Sequence, residues 1–412
     1  MDYFNCISLN EAERLILHGF SGLQAEIEQV TLPEALGHIL AEDIISKEDL
    51  PPFSRSTVDG FAVRSMDTFG AGEGVPALLN IAGEVAMGEQ ALFSVQPGQA
   101  VAIATGGMLP VGADAVVMLE YTERPDNSTL LVVRTVAPGE NVIVKGEDIS
   151  AGHCILRQGR RILPQDIGAL AACGYSIVPV RRKPVVVIIS TGDEVVDVPC
   201  SPVNGQIRDI NLYTLSAMLE DAGCIVKRYG IVKDNYEDLL TALSQSILHC
   251  NVVVVSGGSS VGARDHTVRA IQELGKKDVL FHGVAVKPGK PTIFGRIGNV
   301  PVFGLPGHPV AAMTVCRQIV TPAIQSFLGQ AVGEVYTIPA RMTRSMASVP
   351  GRDDYIRVRL IRKSDGYWAE PILGKSGLIS TMCTASGIVH ISADKGGLYS
   401  EEIVEVEIIT GK

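Results

Sequence analysis

The stretch Val252-Val253-Val254-Val255-Ser256-Gly257-Gly258-Ser259-Ser260-Val261-Gly262, with Asp265 three residues on, decides the fold. Four β-branched residues in a row suit a buried strand, 252–256, of an α/β sheet. The three glycines then let the backbone bend, so that successive N–H groups can face an anion at the start of the next helix. No Gly-Lys-Ser/Thr follows, so this is not a P-loop, and the G-x-G-x-x-G spacing of dinucleotide binders is missing. Asp265 reads either as a carboxylate aimed at a ligand or as the cap of a helix over 265–274.

Outward from that segment, strand and helix patterns alternate from Pro184 to about Gly329. Strands are expected at 185–190, 225–231, 252–256, 279–286 and 300–304. Helices are expected at 212–222, 236–249 and 265–274, with a long one from Pro306. The fold class is therefore a doubly wound α/β sheet, whose right-handed crossovers bring the loops after its strands to one edge.

Four of those loops carry chemistry. Ser190-Thr191-Gly192-Asp193-Glu194 can present N–H donors and aim a carboxylate. The second is the glycine-rich loop already quoted. Lys287-Pro288-Gly289-Lys290-Pro291 directs two cations from a stiffened turn. Leu305-Pro306-Gly307-His308-Pro309 opens the long helix. Singly, each reads equally well as an ordinary turn or helix start. Together, on one edge, they form the default ligand crevice of an open α/β sheet.

The flanks have a different texture. Ser8-Leu9-Asn10-Glu11 reads as a capping box opening a helix with Leu9, Ala12, Leu15 and Ile16 on one face and Gly19 as its stop. Thr31-Leu32-Pro33-Glu34 opens a second short helix. Residues 51–137 form a β-rich insert, rich in Gly, Pro and Asn-Asp turns, and 1–50 with 138–180 form an N-terminal linker domain. The α/β domain takes 181–329. Residues 330–412 return to β patterning, with strands expected at 334–340, 355–361, 367–371, 388–392 and 402–409, as a C-terminal β-barrel-like domain.

Composition narrows the function classes. The formal net charge of −10 excludes broad nucleic-acid binding, although a local basic pocket can still hold a small anion. The longest apolar runs are strand-sized, so no membrane span is expected, and Met1-Asp2-Tyr3-Phe4-Asn5 does not resemble a signal peptide. Eight scattered cysteines without a C-x-x-C pair point to a reducing, cytoplasmic setting.

Mixing acids and bases in one crevice has an electrostatic consequence. A carboxylate about 4 Å from a phosphate oxygen costs on the order of 4 kcal/mol at an effective dielectric near 20. Glu194, Asp234 and Asp265 therefore face a phosphorylated ligand only with a bridging divalent cation, for which Mg²⁺ is suited.

In order along the chain stand P-P-F-S-R-S-T-V-D-G-F-A (51–62), A-T-G-G-M-L-P-V-G-A-D-A-V-V (104–117), S-T-G-D-E (190–194), S-G-G-S-S-V-G-A-R-D (256–265), K-P-G-K-P (287–291) and L-P-G-H-P-V (305–310). These motifs closely resemble the molybdopterin molybdenumtransferase family of molybdenum-cofactor biosynthesis, which includes the C-terminal domain of gephyrin. The resemblance implies an elongated homodimer that takes adenylylated molybdopterin and molybdate, releases AMP with Mg²⁺, and leaves molybdenum on the dithiolene. It implies that Asp59 and Thr105 reach the partner's cleft. Glu194, Asp234 and Asp265 become the metal-facing or catalytic acids. Lys287 and Lys290 hold phosphate or molybdate, and Thr191, Gly257, Gly258, Ser259, Pro306 and Pro309 shape the pterin pocket. Arg352 and Arg357 match a basic segment that can contact the anion. Transient partners would be the molybdopterin adenylyltransferase and apo-molybdoenzymes. Three positions depart from the family pattern: His308 for Asn, Ile210 for Ser and Val58 for Met. Two rival readings remain: a non-catalytic scaffold of the same fold, and a serine hydrolase with Ser260 as nucleophile and His308 or His390 as base.

Overall fold

The computed structural model of the chain describes residues 6–92, 94–257, 261–275, 279–331 and 336–409, with backbone alone for 261–265. Ser8 caps the helix Leu9–Gly19 by accepting the Glu11 N–H at 3.2 Å. The reciprocal half of the capping box is replaced, because the Glu11 carboxylate pairs with Arg14 at 2.7 Å. The helix ends at Gly19, as its position suggested, but without a left-handed glycine turn there. A Cβ there would lie 2.6 Å from the Phe294 ring, so this glycine lets the helix settle onto the sheet, and Gly22, at φ +76°, makes the turn. The Thr31–Glu34 box does form, but it opens only the single 3₁₀ turn Leu32–Ala35.

Three nested antiparallel pairings carry the chain out to the insert and back. Ile27–Thr31 pairs with Ile177–Arg181, Ile44–Ile45 with Cys154–Leu156, and Arg55–Ser56 with Val142–Ile143. Beyond that neck lies a six-stranded sheet ordered Ala115–Met118, Gly60–Val63, Gln99–Ile103, Ala77–Val85, Thr129–Val132, Thr122–Glu123. Phe61, Val63, Leu79, Val117 and Leu130 fill one of its faces.

The central sheet has six strands in the order Ile225–Val232, Val185–Thr191, Val252–Gly257, Val300–Leu305, Ile293–Ile297, Val279–His282. The first four are parallel. Ile293–Ile297 is an antiparallel hairpin strand that the periodicity did not reveal. Helix Asn211–Asp221 covers one face, with Leu212, Leu215 and Leu219 joining Ile16 and Phe294. Helices Tyr236–Ser246 and Val261–Leu274 cover the other. Phe294 stands at the centre of an aromatic group, 4.8 Å from Phe303, 5.7 Å from Phe281 and 6.3 Å from Phe20.

The C-terminal strands Asp353–Lys363, Gly366–Pro371, Thr337–Met342, Ile403–Ile408 and Gly387–Ile391 pair in that order. The last pairs again with the first, which closes a small barrel around Met342, Val358, Ala369 and Val406. Val286–Lys287, expected as the end of a central strand, instead pairs in parallel with Asp353–Asp354 of the barrel. One loop thus belongs to two domains.

Phe294→Ala removes the ring on which the first helix and the sheet meet. It should lower unfolding free energy by about 3–5 kcal/mol, read as a fall in the urea midpoint without a change in slope. A loss below about 1 kcal/mol would contradict its central place in the core.

Candidate active site

Parallel pairing places Thr191 opposite Gly257, and Ser256 opposite Leu305, so three strand ends lie side by side. Gly257 adopts φ +132°, and a Cβ on it would stand 2.1 Å from the Thr191 carbonyl oxygen. Only glycine lets the two loops approach so closely. Between them opens a cavity of about 200 Å³, lined by Ser190, Thr191, Asn211, Gly257, His308 and Pro309 among others, with the carboxylates of Glu194 and Asp209 set against the one guanidinium of Arg208 among its described lining residues. The Asn211 amide donates to Ser256 Oγ at 2.9 Å and to the Gly307 carbonyl at 2.9 Å, tying the helix start to two of the loops.

Gly307 and His308 are also a wall of a larger cavity, about 850 Å³, between the central sheet and the barrel. Lys287, Lys290, Arg352, Arg357 and Lys375 line it, against the single carboxylate of Asp354 among its described lining residues. Asp354 is buried and receives Arg352 at 2.8 Å and Lys287 at 3.6 Å. Arg357 is only 8% exposed. It donates one N–H to the Gly374 carbonyl at 3.0 Å, while its Nε has no partner, and burial pulls its pKa below the usual guanidinium range. A cation desolvated without a counter-charge is costly, so this cavity calls for an anion. It is strongly basic inside a chain that carries a formal charge of −10.

Carboxylates gather at the far side of the smaller cavity. The backbone N–H of Asp234 donates to Asp193 at 3.2 Å, which joins the loop after Ile225–Val232 to the loop after Val185–Thr191. Burial, then the charges of Glu194 and Asp193, raise the Asp234 pKa above the usual carboxylate value, with His266 opposing them. One Asp234 oxygen is buried and has no partner. Among the described residues no three His, Cys, Asp or Glu side chains form a ready metal cage.

The sequence-derived candidates divide accordingly. Lys287, Lys290, Pro306 and Arg352 line the basic cavity, and Thr191, Glu194, Gly257 and Pro309 line the smaller one. Asp234 reaches Glu194 and Asp193 electrostatically. Gly258, Ser259 and Ser260 lie outside the described residues, as does the side chain of Asp265. The backbone of Asp265 sits in the second turn of Val261–Leu274, so the residue is not that helix's N-cap. Asp59 and Thr105 lie in the insert and line neither cavity; Asp59 accepts the Thr105 N–H at 2.7 Å and its hydroxyl at 2.9 Å. Those bonds hold the Asp59 carboxyl below its ordinary pKa. His308 and His390, the bases that a Ser260 nucleophile would need, bond instead to Ser376 at 2.8 Å and Asp353 at 2.7 Å.

Sequence reading missed Asp209, Asp354, Lys375 and Ser376. The signal for the last two was present in Gly374-Lys375-Ser376-Gly377, a small polar loop between apolar runs. Asp209 looked like part of a connection, and only the fold shows that it is buried.

A doubly wound sheet whose carboxyl edge joins an acidic to a basic cavity is the build of an enzyme for anionic small molecules. Comparison with known proteins gives the family. Residues 7–174 match the MoeA N-terminal region (domain I and II), 187–326 a probable molybdopterin binding domain, and 339–409 the MoeA C-terminal region (domain IV). The chain is 35% identical to a Methanocaldococcus jannaschii protein named for molybdopterin biosynthesis, over 98% of each chain. It is 32% identical to the molybdopterin molybdenumtransferase of Bacillus subtilis, over 98% of this chain and 94% of that one. A crystal structure of the Pyrococcus horikoshii molybdopterin biosynthesis MoeA protein superposes with a TM-score of 0.82 at 37% identity, covering 99% of this chain and 100% of that one. The chain belongs to the molybdopterin molybdenumtransferase family.

The raised pKa of Asp234 gives a pH prediction. Its carboxyl binds a proton more tightly folded than unfolded, so its contribution to stability is present below pH 3.8 and lost as pH rises through the folded value. Asp234→Asn should therefore raise the melting temperature at neutral pH, and the gain should shrink towards about pH 4 in a pH series of thermal melts. An equal gain at all pH values would show that charge is not its source.

Proposed function

We propose that this chain inserts molybdenum into molybdopterin, taking adenylylated molybdopterin and molybdate and releasing AMP. The observation that carries this reading is the junction of an acidic and a basic cavity across Gly307 and His308. A dianionic oxyanion suits the basic side, where Lys287, Lys290, Arg352 and the unpaired Arg357 Nε supply donors. The phosphoanhydride would lie near Glu194 and Asp234, and the family resemblance assigns Asp265 to the same acidic group. Those carboxylates would hold Mg²⁺, which when bound offsets charge on the phosphates and polarises phosphorus for attack by water. The lysines and arginines orient and retain the anion; the carboxylates position the cation. The Asp59–Thr105 pair, exposed on the insert, suits a homodimer in which it faces the partner's cleft.

Among the described residues no helix is long and apolar enough to cross a membrane. All eight cysteines are unpaired, which supports a cytoplasmic setting. Contacts with the molybdopterin adenylyltransferase and with apo-molybdoenzymes would be transient.

The test is chromatographic measurement of AMP released from adenylylated molybdopterin. Release should require molybdate and Mg²⁺, stop on chelation with EDTA, and be lost in Asp265→Asn while the melting temperature is kept. Full turnover in EDTA would remove the metal from the reaction, and wild-type turnover by Asp265→Asn would remove that residue's role. Lys287→Ala should weaken molybdate binding about tenfold, a loss of roughly 1.4 kcal/mol. Unchanged affinity in calorimetry would count against the basic cavity as the oxyanion site.

A further inference from the structure

We infer that Asp209, with Asn211, is the specificity element for the pterin: an acceptor wall that reads the adjacent N–H donors of its 2-amino-4-oxo edge. This deepens the proposed function and rests on it. Asp209 is 5% exposed. Its Oδ1 accepts the Leu212 N–H at 2.9 Å, which caps the helix Asn211–Asp221, while its Oδ2 is buried without a partner and the residue lines the smaller cavity. Capping alone explains one oxygen and leaves the other unexplained.

Asn211 repeats the pattern. Its Nδ2 donates to Ser256 Oγ and to the Gly307 carbonyl. A carbonyl only accepts, so the amide orientation is set and Oδ1 is left as a buried acceptor without a partner. Ser190, 3% exposed and opposite Ser256 in the sheet register, contributes a third unpartnered oxygen. Buried acceptors without donors are retained at a cost, so an occupant that brings N–H groups would be favoured.

The cavity walls say what carries them. Val195, Ile207, Ile210 and Pro309 are apolar and flank the polar end, as a flat heterocycle requires. At about 200 Å³ the space is smaller than the roughly 300–1,000 Å³ of pockets that enclose a whole drug-sized ligand. It suits one fused ring. Asp209 and Asn211, two residues apart in one segment and both lining the cavity, would offer two acceptors to the N2–H and N3–H pair of a pterin, whereas adenine offers an N–H donor beside a ring acceptor. Ile210, between these two residues in sequence, brings no hydroxyl to this wall and leaves the acceptors to Asp209 and Asn211.

The test compares two probes in EDTA: 6-hydroxymethylpterin phosphate and its 2,4-dioxo (lumazine) counterpart, which replaces the 2-amino donor by a carbonyl. Wild-type protein should bind the pterin at least about tenfold more tightly, as expected for a hydrogen bond to a charged acceptor. Asp209→Asn keeps an oxygen for the Leu212 cap and turns an N–H₂ into the cavity. It should keep its melting temperature and lose most of the preference. Equal wild-type affinity for both probes, binding of neither, or full discrimination by Asp209→Asn would overturn the inference. So would a preference seen only with Mg²⁺ present, which would make the wall a cation site. AMP release by the wild type is measured separately: activity without discrimination sinks only this inference, and its absence sinks the parent reading.

Discussion

Charge of opposite sign is kept apart, at close range, by a strip of backbone two residues wide. On one side of Gly307-His308 lie Glu194 and, beyond it, Asp193 and Asp234; on the other lie Lys287, Lys290, Arg352 and Arg357. Were these groups free to collapse into direct pairs, the site would satisfy itself and have little to offer a ligand. The fold prevents this by mounting the acids on the ends of the first parallel strands and the cations on the barrel and the loop that enters it. Part of the basic charge is neutralised by the buried Asp354, which receives both Arg352 and Lys287. Arg357 differs in being buried while it donates to a carbonyl rather than a carboxylate, so its charge is responsive to a bound anion.

That separation depends on holding the barrel against the α/β domain, and the contacts that do so run through the site itself. Val286–Lys287 adds two residues to the barrel sheet beside Asp353 and Asp354, so the lysine's backbone is fixed by the domain that supplies the arginines. The Val310 N–H donates to the Ser376 carbonyl at 3.1 Å, and His308 bonds the hydroxyl of the same serine at 2.8 Å. Further away, Arg317 holds Glu407 at 2.6 Å and the Ile408 carbonyl at 3.1 Å. Any shift of the barrel would thus be felt at the oxyanion side before it reached the carboxylates. The histidine at 308 thus joins the two domains through a ring nitrogen.

Much of this was legible in the residues. The valines of 252–255 announce a buried strand and the residues from 265 a helix, and the structure has Val252–Gly257 and Val261–Leu274 there, with no tertiary information needed to see either. The same holds for the first helix, whose Leu9, Ala12 and Ile16 are buried as their spacing requires. What escaped was whatever depends on a distant partner. Ile293–Ile297 is short and follows a proline-rich loop, so only its pairing with Val300–Leu305 on one side and Val279–His282 on the other makes it a strand. Gly19 ends the helix as it reads, but the ring of Phe294, which demands a glycine there, is 275 residues away in sequence. Asp209 and Ser376 lie in polar connections whose burial or hydrogen bonding arises only when the loops converge.

The buried polar atoms at the carboxyl edge and in the barrel share one energetic logic. Ser190 Oγ, Asp209 Oδ2, Asn211 Oδ1, Asp234 Oδ1 and Arg357 Nε are all without partners among the described residues. An unsatisfied buried group costs roughly 1–3 kcal/mol, and a whole domain is stable by only about 5–15 kcal/mol. Four such oxygens at the sheet edge, with a fifth atom on the barrel strand Asp353–Lys363, would be a serious defect in a protein shaped for stability alone. Their signs argue against accident: four are oxygens grouped around the smaller cavity and the acidic loops, and one is a cationic N–H facing the basic cavity. A ligand with donors at one end and negative charge at the other would meet both needs at once. The edge is therefore costly in the free chain for the same reason that it would bind such a molecule well, which is the usual trade between stability and a preorganised site.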